Sequence, residues 1–258
     1  FYVYEMGYGL LMKYMGSKAR FAKQIYSVMD SVVDTSKYSR YVEPFVGGGN
    51  SMAVASSTFE RSGYDTNHYV IALLDAVANK NWSPPDVVTE AEYQDVRLNK
   101  NSYSDEYVGF VGIGCSYSGK WFGGYARGNA ANGTPRNYCA ESKRNILKQA
   151  SLLRGVHFET QSYENLHISQ DSLVYCDPPY ANTTKYAHSF DSEHFWGWCT
   201  ELSLQSIPVF VSEYVAPANW TSVWQQSTTS SLTKDTGSKV SVEKLFVHNN
   251  LLKKVSNA

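Results

Sequence analysis

Long apolar runs are missing from this 258-residue chain, and with them any stretch of about 18 residues that would cross a bilayer. The opening "FYVYEMGYGLL" has neither the positive start nor the small-residue cleavage site of a signal peptide, so the expected setting is cytosolic and no membrane is involved. Met12, directly before "KYMGSK", suits a natural start, with residues 1–11 a leader or an added segment. Cysteine is scarce: Cys115, Cys139, Cys176 and Cys199 form no Cys-x-x-Cys pair, which argues against a zinc knuckle or a disulfide framework and leaves reduced, mostly buried thiols. The six histidines show no His-Glu-x-x-His or comparable spacing, so no metal is expected. Excess charge is lacking as well, since 23 Lys and Arg stand against 24 Asp and Glu, and a generally sticky nucleic-acid binder is disfavoured.

What charge there is lies unevenly. Lys120, Arg127, Arg136, Lys143, Arg144, Lys148 and Arg154 follow one another with a single acid among them, Glu141. Such a face suits contact with a phosphate backbone, and equally it suits a solvated helix.

Apolar positions Phe21, Ile25, Val28, Met29 and Val32 recur at three and four, which predicts an amphipathic helix over "SKARFAKQIYSVMDSVV" with Ser17 as its N-cap. A strand "SRYVEPF", a glycine loop "VGGGN", a short helix "SMAVASSTF" and a buried helix "HYVIALLDAVANK" follow. After the helix "ESKRNILKQASLL" come strands "GVHFET", "SLVYC" and "IPVFVSEY", with a helix "SEHFWGWCTELSL" between the last two and an alternating strand "KVSVEKLFVHN" at the end. "QQSTTSSLTKDTGSK" reads as a hairpin or loop. These units belong to a parallel α/β sheet. The stretch 81–137, rich in glycine, asparagine and aromatic rings, reads as an inserted region.

Four short motifs carry chemistry. "EPFVGGGN" joins a strand to a helix, where glycines let a ligand approach backbone amides, although its spacing is not the Gly-x-Gly-x-x-Gly dinucleotide fingerprint. Asp65, in "YDTN" at the end of a second strand, suits ribose hydroxyls or the capping of the next helix. "KYMGSK" sets Gly16, Ser17 and Lys18 at a predicted helix start, which suits an anion or ordinary capping. In "CDPPY" the prolines fix the backbone, and the Asp177 carboxylate with nearby carbonyls offers acceptors to an amino group. Acceptors that draw an exocyclic base amine towards tetrahedral geometry free its lone pair to attack a methyl group, while Tyr180 can stack on the base. A fifth match, "GCSYSGK", imitates a phosphate-binding loop, but Trp121 stands where a magnesium-binding hydroxyl is needed.

In this order, "KYMGSK", "EPFVGGGN", "YDTN" and "CDPPY" resemble the Dam-like class of S-adenosylmethionine-dependent DNA adenine-N6 methyltransferases. "FDSEHFWGWC", "VFVSEYVAP" and "EKLF" look most like phage and prophage members, and the likeness runs from Lys13 to Phe246. The resemblance implies a Rossmann-like methyltransferase sheet with helices on both faces, formed by residues 12–80 and 138–258, and an inserted helical and loop target-recognition region at 81–137. It implies that Tyr14, Gly16, Ser17, Lys18, Glu43, Phe45, Gly47, Asp65, Ser162, Tyr163 and Asp177 surround S-adenosylmethionine. Glu43 stands where an aspartate is frequent. Asp177, Pro178 and Tyr180 would act on the target amine. Tyr117, Lys120, Trp121, Phe122, Tyr125, Arg127 and Arg136 would face double-stranded DNA, one ring wedging into the duplex, with packing inside a small subdomain as the other reading of each ring. A cytosine-N4 methyltransferase shares the Asp-Pro-Pro-Tyr logic. An RNA methyltransferase and a non-catalytic DNA-binding module are the further alternatives. A monomer in the cytoplasm of a bacterium or a phage-infected host, with or without a partner restriction enzyme, completes the expectation.

Overall fold

In the computed structural model, which describes residues 11–179, 190–230 and 239–255, the apolar runs of the sequence become the strands of a sheet. The elements are α1 (Ala22–Val32), β1 (Arg40–Glu43), β2 (Glu60–Asp65), α2 (His68–Asn79), α3 (Glu90–Leu98), α4 (Asp105–Gly114), α5 (Tyr138–Leu153), β3 (His157–Thr160), β4 (Ser172–Cys176), α6 (Ser192–Leu204), β5 (Val209–Glu213), β6 (Trp220–Ser230), β7 (Lys239–His248) and α7 (Asn249–Val255). Among the described residues seven strands form a mixed sheet in the order β3-β2-β1-β4-β5-β7-β6, with helices between them in an α/β architecture.

The chain divides into two compact units. The first holds the segment up to Lys23, Val46–Ser56 and Arg61–Ser162. Here β2 and β3 run parallel, Gly63 opposite Phe158. Val70, Leu73, Leu74 and Val77 of α2 are buried, as are Val108, Phe110, Val111 and Ile113 of α4. The two backbones come close at Gly109, where an added Cβ would lie 2.2 Å from the Tyr69 carbonyl oxygen. Helix α5 starts on Asn137, whose side chain accepts from the Ala140 N–H at 2.9 Å. It ends on Arg61, a buried guanidinium that donates to the carbonyls of Leu152 (2.8 Å) and Arg154 (3.1 Å). A cation at this end satisfies orphan carbonyls and complements the helix dipole. Residues 81–137, with α3 and α4, lie within this unit.

The second unit holds Gln24–Phe45, Ser57–Glu60 and the chain from Tyr163 onward. Strands β1, β4 and β5 are parallel, with Val42 opposite Val174 and Val174 opposite Val209. Strand β4 is buried along its whole length, which is why "SLVYC" shows no alternation. Strand β7 joins β5 antiparallel, and β6 closes that edge. Asp191 caps α6 by accepting from the His194 N–H at 2.9 Å.

Two local expectations are corrected. Helix α1 starts at Ala22, so Ser17 is not its N-cap: Gly16 turns the chain at φ +84°, and the Ser17 hydroxyl accepts from the Ala19 N–H instead. "SMAVASSTF" gives only a single 3-10 turn, Met52–Val54, which Ala55 ends in extended backbone. The hairpin expected at "QQSTTSSLTKDTGSK" has its first arm in β6, whose residues 225–230 pair antiparallel with β7 from Gln225 opposite Lys244 to Ser230 opposite Lys239, while residues 231–238 lie outside the described residues. Gln225, Gln226 and Ser227 are all exposed, so this arm carries no alternation.

Candidate functional site

In the first unit the sequence motifs "KYMGSK", "VGGGN" and "YDTN" meet. β2 ends at Asp65, whose carboxylate accepts from the Gly47 N–H (3.0 Å) and the Asn67 N–H (2.9 Å). Burial raises the Asp65 pKa, and these backbone donors work against the rise. The Tyr14 ring lies on the glycine loop, so closely that a Cβ added at Gly48 would sit 2.7 Å from the Tyr14 Cβ. Gly47 turns at φ +47° and would bring its own Cβ to 2.9 Å from the same ring. Gly49, at φ +68°, likewise takes a backbone conformation that favours glycine. Gly16 shapes the turn before Ser17, and Lys18, only 7% exposed, donates to the Gly16 carbonyl at 3.2 Å. Tyr14, Gly16, Ser17, Lys18, Gly47 and Asp65 are therefore brought into one neighbourhood.

The second unit assembles a different chemistry. β1 and β4 are neighbouring parallel strands, so their carboxyl ends lie side by side and carry Glu43 and Asp177, the place where open α/β sheets bind ligands. Glu43 is buried and accepts from the Tyr41 hydroxyl at 3.0 Å. Its pKa stands well above the ordinary carboxylate range: burial is the main cause, the Tyr41 hydrogen bond opposes it, and the charge of Asp177 adds to it. Phe45, just beyond β1, meets the rings of Tyr163 (5.4 Å), Phe195 (5.5 Å) and Phe190 (5.9 Å). Trp198 packs edge-on against Tyr163 at 5.4 Å, and the Tyr163 hydroxyl lies 3.0 Å from His194 Nδ1. This aromatic wall can take a flat ring against it. Ser162, Asp177 and Pro179 are half-buried and Pro178 is buried, while Tyr180 lies outside the described residues.

The aromatic residues expected to face DNA divide sharply. Trp121 stacks on Tyr69 at 5.6 Å, and Phe122 sits between Trp121 (4.8 Å) and Tyr93 (5.4 Å). The Tyr125 hydroxyl donates to the Val88 carbonyl at 2.7 Å. These three rings pack within the first unit, whereas Tyr117 is 59% exposed. The cationic stretch is also less free than its sequence suggests. Arg127 pairs with Glu90, Arg136 with Glu141 through two bonds of 2.8 and 2.7 Å, and Lys143 with Asp86 at 3.0 Å. Two of those acids, Asp86 and Glu90, come from outside the counted stretch. Among the described residues Lys120, Arg144, Lys148 and Arg154 have no carboxylate within 4.0 Å.

All four cysteines are reduced and buried, and Cys115 and Cys139 stand 3.5 Å apart, sulfur to sulfur. Among the described residues no three His, Cys, Asp or Glu side chains are grouped to hold a metal ion, and no helix is long and apolar enough to cross a membrane. Sequence reasoning missed two polar side chains of the first unit. Asn50 closes the glycine loop and was visible as its last letter, but Gln149, on the buried face of α5, gave no signal of its own.

Residues 14–111 match the family model described as D12 class N6 adenine-specific DNA methyltransferase. No curated protein matches the chain.

Proposed function

We infer that this chain, an adenine-N6-specific DNA methyltransferase by the match over residues 14–111, takes its methyl group from S-adenosylmethionine and acts on an adenine turned out of double-stranded DNA. The observation that carries the reading is the delivery of Glu43 and Asp177 by adjacent parallel strands, with Phe45 and Tyr163 in an aromatic wall of the same unit.

The residues fit the cofactor by their own chemistry. A buried carboxyl such as Glu43, reluctant to ionise alone, suits a cationic amino group, and a carboxylate such as Asp65 with lone pairs to spare suits ribose hydroxyls. When bound, the cofactor supplies an electrophilic methyl group. Tyr14, Gly16, Ser17, Lys18 and Gly47 would shape its binding turn, and Ser162 and Tyr163 would line its adenine. Asp177 and the Pro178 carbonyl accept the two hydrogens of the target amine and draw its nitrogen out of conjugation, which makes its lone pair available. Tyr180 stacks on the base. Residues 81–137 read the duplex, with Tyr117 the wedge, because it alone of the four candidate rings is exposed rather than packed. The Dam-like, phage-type assignment rests on the order of the four motifs and on "FDSEHFWGWC", and it places the enzyme with its DNA in a bacterial or infected cytoplasm.

The test is direct. Duplex DNA incubated with the protein and S-adenosylmethionine, then digested to nucleosides, should yield N6-methyladenine. N4-methylcytosine in its place would overturn the target assignment. Asp177→Ala should remove methyl transfer while leaving the fold intact, and full activity in that variant would refute the mechanism.

A further inference from the structure

Two buried carboxamides in the first unit hold parts of the site that the motifs leave unconnected. Asn50 is 4% exposed, and its Nδ2 donates to the Met12 carbonyl (3.1 Å) and to the Ser17 hydroxyl oxygen (2.6 Å). Gln149 is fully buried. Its Oε1 accepts from the Met12 N–H at 2.8 Å, and its Nε2 donates to the Gly48 carbonyl at 2.7 Å. Met12 is thus held at both its N–H and its carbonyl. Ser17, five residues on, is held by the same Asn50. On α5 the neighbouring inward positions are Ile146, Ala150 and Leu153, so an apolar side chain at 149 would satisfy packing alone. A buried amide there is costly unless it is bonded, and both Gln149 bonds go to backbone, at Gly48 of the glycine loop and at Met12, the residue before "KYMGSK".

The geometry has a consequence for Tyr14. Its ring rests on Gly47 and Gly48, between the Met12 and Ser17 anchor points. Any slack at Met12 or Ser17 moves that ring off the loop. One valence stays open in the clamp: Asn50 Oδ1 is the buried side-chain atom without a hydrogen-bond partner among the described residues. The amide cannot be turned over to hide it, since Oδ1 would then face the Met12 carbonyl. A buried acceptor left open calls for a donor from outside the described residues.

We propose that Asn50 and Gln149 are positioning residues for the cofactor, a two-amide clamp that seats Met12–Lys18 on the glycine loop so that Tyr14 and Lys18 are in place before binding. The proposal rests on the cofactor reading above.

Calorimetric binding of S-adenosylhomocysteine tests it with a readout other than activity. Asn50→Ala and Gln149→Met should each weaken binding about tenfold, the loss of a buried hydrogen-bonded group. The double variant should be little weaker than the worse single one, because both side chains hold the same segment. With S-adenosylmethionine varied against duplex DNA, KM should rise by much more than kcat falls. Asn50→Ser, which keeps one donor, should recover part of the affinity. It and Gln149→Met carry the test if Asn50→Ala fails to fold, with thermal melting as the check. Folded variants that bind as the unmodified protein does would overturn the clamp, and so would intact affinity with kcat lost. If the unmodified protein itself binds no S-adenosylhomocysteine, the cofactor reading falls and takes the clamp with it.

Discussion

Glu43 holds a carboxyl group that resists ionisation where the chain has placed it. Its folded pKa lies above the unfolded one, so the neutral form contributes stability that is fully present below the ordinary carboxylate pKa, about 4.3, and is lost as pH rises through the folded value. The ligand-free protein should therefore melt at progressively lower temperature as pH is raised from that value. Glu43→Gln keeps the acceptor for the Tyr41 hydroxyl and has no proton to lose, so its melting temperature should fall less steeply over the same window. A shallow slope should persist in the variant, because Asp65 is shifted in the same direction. Identical slopes for the two proteins, followed by circular dichroism, would count against a neutral Glu43.

At the scale of elements, two residues that no catalytic motif contains decide whether the first unit holds its shape. Gly109 lets α4 lie against α2, and an added methyl would run into the Tyr69 carbonyl at 2.2 Å. Gly109→Ala should destabilise the protein by about 1–3 kcal/mol through forced separation of backbones that cannot yield as a flexible side chain would. Arg61 secures the end of α5 with two charge-assisted bonds, so Arg61→Ala should cost about 3 kcal/mol in urea denaturation. A loss of under about 0.5 kcal/mol, ordinary for a surface arginine, would show that the carbonyls find water instead.

At the scale of the whole molecule, the proposed duplex substrate raises the question of how a chain of near-zero net charge would grip a polyanion. Three of its seven clustered cations are already paired, which leaves Lys120, Arg144, Lys148 and Arg154 as the groups best able to displace counterions. Lys120→Ala should weaken duplex binding and lower the slope of log K against log salt by about 0.9, one phosphate contact, without changing affinity for S-adenosylhomocysteine. Arg127→Ala should change the slope less, because Glu90 is freed at the same time. A slope unchanged by Lys120→Ala would remove this lysine from the interface.

The sequence by itself determined most of the strands, the glycine loop and the order of the motifs, because these follow from local rules. "SLVYC" reads as a strand that runs out into Asp177, and "VGGGN" as a tight loop. That Tyr14 presses on that loop, and that Trp220–Ser230 is one long strand, was decided by the fold. "CDPPY" alone allowed a turn or a site, and its three companion motifs favoured the site. Tertiary structure alone decided which of four similar rings is exposed and which cations are free. Phe122 and Tyr117 are five residues apart and equally aromatic, yet Tyr93 is present to cover only the first. Arg127 reads as an unpaired cation in the sequence, yet Glu90, 37 residues earlier, stands beside it. Gln149 shows the same limit most plainly, for an inward amide among lysines and leucines has no meaning until folding brings Met12 and Gly48 to its two ends. Local chemistry can be read from the letters, but pairing between distant residues exists only once the chain has closed on itself.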